Sequence, residues 1–275
     1  MAMRLVINDI SFNYKSIAAL KNVCFELEKG EILSLVGPNG SGKSTLLKCI
    51  DGILKPYVGA VFVDGKKTFS MDSKELAKIM GYVPQNVSGA TKVFPFTVFD
   101  VVLAGRKPYI GWSITEKDID TVVSILKFMG IEDLATRYFN ELSGGEQQKV
   151  IIARALAQLP KILLMDEPTS NLDIKHQLEI LYLIHYLCKR MGLSVIMAMH
   201  DLNLASRFSD KIIMLKNGGI FAAGPPEEVI SMENIMDVYG VKAYVSKASF
   251  GKPQITPIEP LNSWEVQRIW IYEKV

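Results

Sequence analysis

Gly37-Pro-Asn-Gly-Ser-Gly-Lys-Ser44 has the spacing G-x-x-x-x-G-K-[ST], that of a loop built to wrap a phosphate. The apolar run Glu31-Ile-Leu-Ser-Leu-Val36 before it reads as a buried strand, and Ser44-Thr-Leu-Leu-Lys-Cys-Ile50 after it reads as a helix. Glycines at 37, 40 and 42 let several backbone N–H groups approach one anion. The helix start adds unpaired N–H groups and the positive end of its dipole. Pro38, Asn39, Ser41 and Thr45 complete the candidate cradle. Lys43 is placed to reach β- and γ-phosphates, and the Ser44 hydroxyl to ligate Mg²⁺. A glycine-rich surface turn is the plainer alternative. The spacing in its setting predicts a nucleoside triphosphate site.

Outward from this loop the patterning is that of an α/β chain. Ile10, Phe12 and Tyr14 alternate with polar neighbours, as do Val23, Phe25 and Leu27, so both segments read as half-buried strands. Val61-Phe-Val63 before Asp64-Gly65 predicts a strand entering a tight hairpin. From 97 to about 139 the pattern turns helical, with Val122, Val123, Ile125, Leu126 and Met129 on one face. The continuous apolar runs Ile162-Leu-Leu-Met165 and Ser194-Val-Ile-Met-Ala-Met199 alternate with helices beginning near Gly145 and spanning 174–190. That alternation predicts a parallel sheet covered on both faces. Residues 211–223 read as a closing hairpin around Lys-Asn-Gly-Gly219, and the proline-bearing tail after Gly240 as irregular or a small appended hairpin.

Composition narrows the classes. Of 275 residues, 49% are hydrophobic and 22% charged, which describes a folded globular chain. A formal net charge of +2 makes no electrostatic case for nucleic acid. Cys24, Cys49 and Cys188 are few and odd in number, and read as packing residues of a protein in a reducing compartment. No apolar run approaches the roughly 18 residues a spanning helix needs, so work at a membrane would require a partner.

Two further segments carry chemistry. Asp166-Glu167 ends the run from Ile162, at the strand end where parallel sheets bind ligands. Asp166 suits Mg²⁺ and Glu167 suits polarising a water for in-line attack; an acidic pair that merely caps the next helix is the alternative. Leu142-Ser-Gly-Gly-Glu146 opens another helix and makes a second anion site. One chain holding one nucleotide has little need of two phosphate cradles. The pair makes sense if two copies dock head to tail, each covering the other's ATP.

At this point residues 3–240 resemble the ATP-binding cassette (ABC) ATPase family, in which Leu-Ser-Gly-Gly-x is the signature motif. The resemblance implies an α/β P-loop NTPase fold of the ABC type. Such a fold has a mixed sheet core, an antiparallel β subdomain, a helical subdomain inserted at about 91–150 and, here, a C-terminal extension over 241–275. It implies that Tyr14 stacks on adenine and that Gln85, in Tyr82-Val-Pro-Gln85, touches Mg²⁺ and the attacking water. Ser143, Gly144 and Gly145 would grip the γ-phosphate held by the opposite copy, and His200 would contact the γ-phosphate in its own copy. Ser170-Asn-Leu-Asp173 resembles the D-loop at the dimer seam, where Ser-Ala-Leu-Asp is commoner. His176 and His185 match no motif and read as ordinary helix residues.

The run Met199-His-Asp-Leu-Asn-Leu-Ala-Ser-Arg-Phe-Ser-Asp210 and the segment Leu103-Ala-Gly-Arg106 look like the importer subfamily serving iron-siderophore, haem and cobalamin uptake. That implies an ATPase at the cytoplasmic face of a membrane, peripheral to a transmembrane permease and coupled through it to a substrate-binding protein. Molybdate, tungstate and zinc importers, and a soluble iron–sulfur assembly ATPase, are the alternatives. The region 91–140 is the expected permease contact, with Phe94, Phe96 and Tyr109 as candidates to enter a groove, or else as ordinary core.

Overall fold

The computed structural model describes residues 4–85, 96–170 and 172–261; Phe94 and Asn171 lie outside the described residues. β1 (Arg4–Tyr14), β2 (Ile17–Glu28), β3 (Ile32–Val36), α1 (Lys43–Ile50), β4 (Val58–Val63) and β5 (Lys66–Lys67) come first in the chain. α2 (Ser73–Ile79), β6 (Met80–Val83), α3 (Val98–Leu103), α4 (Glu116–Phe128), α5 (Gly144–Leu156) and β7 (Ile162–Asp166) follow. Then come α6 (Ile174–Met191), β8 (Ser194–Ala198), α7 (Leu202–Phe208), β9 (Lys211–Lys216) and β10 (Gly219–Gly224). α8 (Pro226–Val229), α9 (Met232–Tyr239), β11 (Val241–Lys247) and β12 (Pro253–Pro260) close the described chain.

The strands form an antiparallel sheet, β2-β1-β4-β5, and a six-stranded sheet, β10-β9-β3-β8-β7-β6. In the larger sheet β9, β3, β8, β7 and β6 run parallel and only β10 turns back. The phosphate-loop strand β3 therefore lies in the interior of the parallel sheet. The two predicted hairpins form at Asp64-Gly65 and Asn217-Gly218, all four residues having positive φ, the backbone that a two-residue turn of this twist requires.

β3, β7 and β8 are buried along their whole length. Successive side chains leave a strand on opposite faces, so these runs feed two cores. Leu33, Leu35, Ile162, Leu164 and Ile196 pack with α1 and the antiparallel sheet. Ile32, Leu163, Met165, Val195 and Met197 pack with α5, α6 and the segment from Val98 to Leu142. The second core holds the helical insertion in place.

That insertion is stitched by local polar chemistry. Thr97 with Asp100, Thr115 with Asp118, and Ser143 with Glu146 each form a reciprocal cap at the start of α3, α4 and α5. The fully buried Arg106 donates to Asp118 Oδ1 at 3.0 Å and to the Ala157 carbonyl at 2.9 Å. Tyr109 lies with its ring 4.0 Å from the Arg106 guanidinium carbon and 5.0 Å from Lys78 Nζ, and its hydroxyl donates to the Gln158 carbonyl at 2.8 Å. Its ring and hydroxyl are thus engaged within the chain, while 37% of the residue stays exposed. Phe96 is about half exposed.

Of the two readings of the tail, the small appended hairpin is the one that forms: β11 and β12 pair antiparallel, and their Ala243 and Ile255 join the core beneath α7 and α9. Asn203 fixes it by exchanging hydrogen bonds with both backbone groups of Ile255. Cys49 and Cys188 are buried as read, but Cys24 is exposed, its sulfur accepting the Asp9 N–H at 3.1 Å. Its strand alternates, and position 24 falls on the outward face. Among the described residues no helix is long and apolar enough to cross a membrane.

Candidate functional site

The loop between β3 and α1 is shaped by close approach as much as by glycine freedom. A Cβ on Gly37 would stand 2.3 Å from the Leu215 carbonyl oxygen, and one on Gly42 would stand 2.7 Å from that of Ala19. Both have positive φ, so a side chain at either is excluded by space and by backbone. Asn39 and Gly40 lie at the exposed crest, while the buried Ser41 hydroxyl has no partner among the described residues. Thr45 is half-buried on the first turn of α1.

Lys43 is buried, and its Nζ donates to the carbonyls of Gly37 at 2.7 Å and Pro38 at 3.1 Å. Burial lowers its pKa, and the nearby carboxylates of Glu167 and Asp166 oppose that shift. The ammonium is thus held by the loop it serves, next to two negative groups.

β7 delivers those carboxylates. The Ser44 hydroxyl donates to Asp166 Oδ1 at 2.8 Å, and the Tyr82 hydroxyl to Asp166 Oδ2 at 3.3 Å. Burial raises the Asp166 pKa, against the bond from Ser44. Ser44 and Asp166 are hard oxygen donors side by side, the ligand type that suits Mg²⁺. Among the described residues no group of three His, Cys, Asp or Glu could cage a metal. A divalent ion here would therefore complete its shell from phosphate and water, as Mg²⁺ at nucleotides does.

Glu167 takes φ 52, a left-handed backbone for a residue with a side chain, at a cost of about 1–3 kcal/mol. Its N–H donates to the Ala198 carbonyl at 3.1 Å, and its own carbonyl accepts from Ser170 N–H and Oγ. This turn holds the carboxylate at the strand end. Gln85 Nε2 donates to Glu167 Oε2 at 2.5 Å, and His200 Nε2 contacts Glu167 Oε1. The chain thus brings together the loop, Gln85, Asp166, Glu167 and His200 at the carboxyl ends of β3, β6, β7 and β8.

Tyr14 ends β1, about half exposed, with its ring edge-on to Phe12 at 4.9 Å. Ser143, Gly144 and Gly145 belong to a different surface. Among the described residues they make no hydrogen bond to the cluster around Glu167. Ser143 and Gly144 are exposed, Gly145 is buried, and Glu146 caps the turn with its pKa held down by the Ser143 hydroxyl and N–H.

Two residues near these surfaces were missed by motif reading. Tyr82 pairs with Leu164 in register, which puts its hydroxyl within reach of Asp166 two residues on; pairing is invisible in the chain. His176 packs on Gly145, and nothing in helical spacing signals that.

Residues 20–170 match the ABC transporter family. The chain is 52% identical to an uncharacterised ABC transporter ATP-binding protein of Methanocaldococcus jannaschii, over 93% of this chain and 98% of that one. It is 38% identical to the petrobactin import ATP-binding protein YclP of Bacillus subtilis, covering 85% and 91%. It is also 38% identical to the hemin import ATP-binding protein HmuV of Bordetella avium, covering 88% and 94%. Among solved structures it is similar to an ABC transporter assigned to the metal-chelate type, in an inward-facing conformation. The TM-score is 0.82 and the identity 29%, over 94% of this chain and 98% of that one. The dimeric structure of an ABC transporter cassette, MJ0796, matches at TM-score 0.70 and 37% identity, over 80% and 98%. The chain belongs to the ABC transporter family, as an ATP-binding subunit that hydrolyses ATP to drive transport.

Proposed function

We propose that this chain powers a membrane importer for a metal chelate of the iron-siderophore, haem or cobalamin type. It would lie at the cytoplasmic face, bound to transmembrane permease subunits and, through them, serving a substrate-binding protein. The observation that carries the ATPase reading is the meeting of Gln85 and His200 on the Glu167 carboxylate, beside Lys43 and Asp166. The cargo class is supported by the petrobactin and hemin import names of the relatives.

In this reading Tyr14 stacks on adenine and the amides from Gly37 to Thr45 hold the phosphates. Lys43 leaves its two loop carbonyls for the β- and γ-phosphates. Ser44, Gln85 and Asp166 would hold Mg²⁺, which when bound neutralises phosphate charge. Glu167 accepts a proton from the attacking water, while Gln85 and His200 orient that water and the γ-phosphate. Ser143, Gly144 and Gly145 close on the nucleotide of a second, head-to-tail copy. Hydrolysis removes the γ-phosphate they grip, so the pair opens.

The test is recovery of tagged Glu167→Gln protein from gently solubilised native membranes, with and without ATP. Co-purification of a polytopic permease is expected, and a metal-chelate-binding protein with it would support the cargo class. Recovery of soluble assembly proteins alone would refute the importer reading and leave the ATPase chemistry standing.

A further inference from the structure

His176, an ordinary helix residue by sequence, bridges the start of α6 and the start of α5. Asp173 Oδ1 accepts the backbone N–H of His176 at 2.8 Å and lies 2.8 Å from His176 Nδ1. The one carboxylate oxygen caps α6 and also holds the ring against the helix start. The ring then covers Gly145: a Cβ there would stand 3.0 Å from Cγ and Cδ2 and 3.3 Å from Nε2. A side chain at 145 would therefore press on the imidazole, which would have to give by a few tenths of an ångström.

The two ends of this contact have different neighbours. Asp173 caps the start of α6, and on the near side of Asn171 the Glu167 carbonyl holds Ser170 through its N–H at 3.2 Å and its hydroxyl at 3.0 Å. Gly145 belongs to the first turn of α5, whose exposed Ser143 and Gly144 face outward. A second tie between the same helices, Lys149 to Glu179 at 2.8 Å, lies further along. With α5 anchored there, the ring sets the position of its first turn.

We propose that His176 is a positioning residue, a strut between the start of α6 at Asp173 and the start of α5. Through it, the grip of Ser143 and Gly144 on the nucleotide of a second copy depends on where the start of α6 sits. This rests on the head-to-tail reading of the second phosphate surface. Removing the ring opens a gap under Gly145, and displacement of about 1 Å in a positioned group costs about 100-fold in favourable cases.

The experiment uses full-length protein carrying Glu167→Gln, so that bound ATP persists. Nucleotide binding to the single chain is measured with a fluorescent ATP analogue, and ATP-driven dimerisation by light scattering. Adding His176→Ala is expected to raise the ATP concentration for half-dimerisation about tenfold while changing single-chain affinity less than about twofold. His176→Phe keeps the ring without the bond to Asp173, and His176→Asn keeps a donor without the ring; each is expected to recover part of the loss. Dimerisation by the alanine variant at unchanged ATP would overturn the proposal. So would a parallel loss of single-chain affinity, which would mark general damage to the fold. If the Glu167→Gln parent binds ATP and stays single, the head-to-tail reading falls first and the strut with it.

Discussion

The Ser44 hydroxyl donates to Asp166 Oδ1 at 2.8 Å, joining residues 122 positions apart across the end of the parallel sheet. The loop and the carboxylate strand thus meet directly, and the hydroxyl that joins them is a hard oxygen of the kind a divalent cation would take. Ser44→Ala is expected to raise the Mg²⁺ concentration for half-maximal ATP turnover about tenfold or more, with milder change in nucleotide affinity measured in EDTA. Equal Mg²⁺ dependence in variant and parent would remove Ser44 from the metal site.

Glu167 is expected to matter more for rate than for binding. Glu167→Gln should lower ATP turnover roughly 10²–10⁴-fold, with nucleotide affinity within a few-fold of the parent, as read by single-turnover phosphate release. His200→Ala should slow the same step while leaving the loop intact. Near-normal turnover by the glutamine variant would assign the base elsewhere.

Gly105 is predicted to tolerate no side chain. A Cβ there would lie 2.0 Å from the Arg154 carbonyl oxygen and 3.0 Å from Ala157 Cβ, and the nearest atom is helix backbone that cannot rotate away. Gly105→Ala should therefore lower the Tm by about 5 °C or more, because α3 and α5 must separate. A thermal melt by circular dichroism checks it, with Gly111→Ala, which meets nothing within 4 Å, as the neutral control.

Asp51 links stability to pH. It closes α1, and burial pushes its carboxyl up to about 7. A folded-state pKa raised above the unfolded value means the native protein holds a proton that the unfolded chain releases. Its contribution to stability is complete below about pH 4 and is lost as pH rises through about 7. Asp51→Asn should flatten that slope and raise the Tm at pH 8 by about 2 °C or more. An unchanged slope between pH 4 and 8 would show that another group titrates.

Much of the site was legible because its chemistry depends on neighbours in sequence. The phosphate loop, Asp166-Glu167 and Ser143-Gly144-Gly145 are local patterns whose spacing places them at a strand end or a helix start, and the structure places them there. Gln85 and His200 needed the family resemblance, since a lone glutamine or strand-end histidine carries no local signal. Tyr109 kept two readings, partner contact or core, because an aromatic between helices reads the same whether it faces solvent or a neighbouring guanidinium; the structure gives it some of each. The tail read as either irregular or a small hairpin because its prolines obscure a pairing that is with itself and whose anchors, Ala243 and Ile255, are two small contributions to a distant core.

The sequence by itself determined the parallel-strand core, the two hairpin turns, the glycine-rich loop and the helix start at Ser143, because period-two patterning, glycine placement and helix starts act over a few residues. Tertiary structure alone decided that Gln85 and His200 share one carboxylate, that Arg106 and Asp118 pair out of water, and that His176 rests on Gly145. Those contacts join side chains that are mostly far apart in the chain. Register and helix packing bring such groups together, and neither is encoded in any short window of sequence.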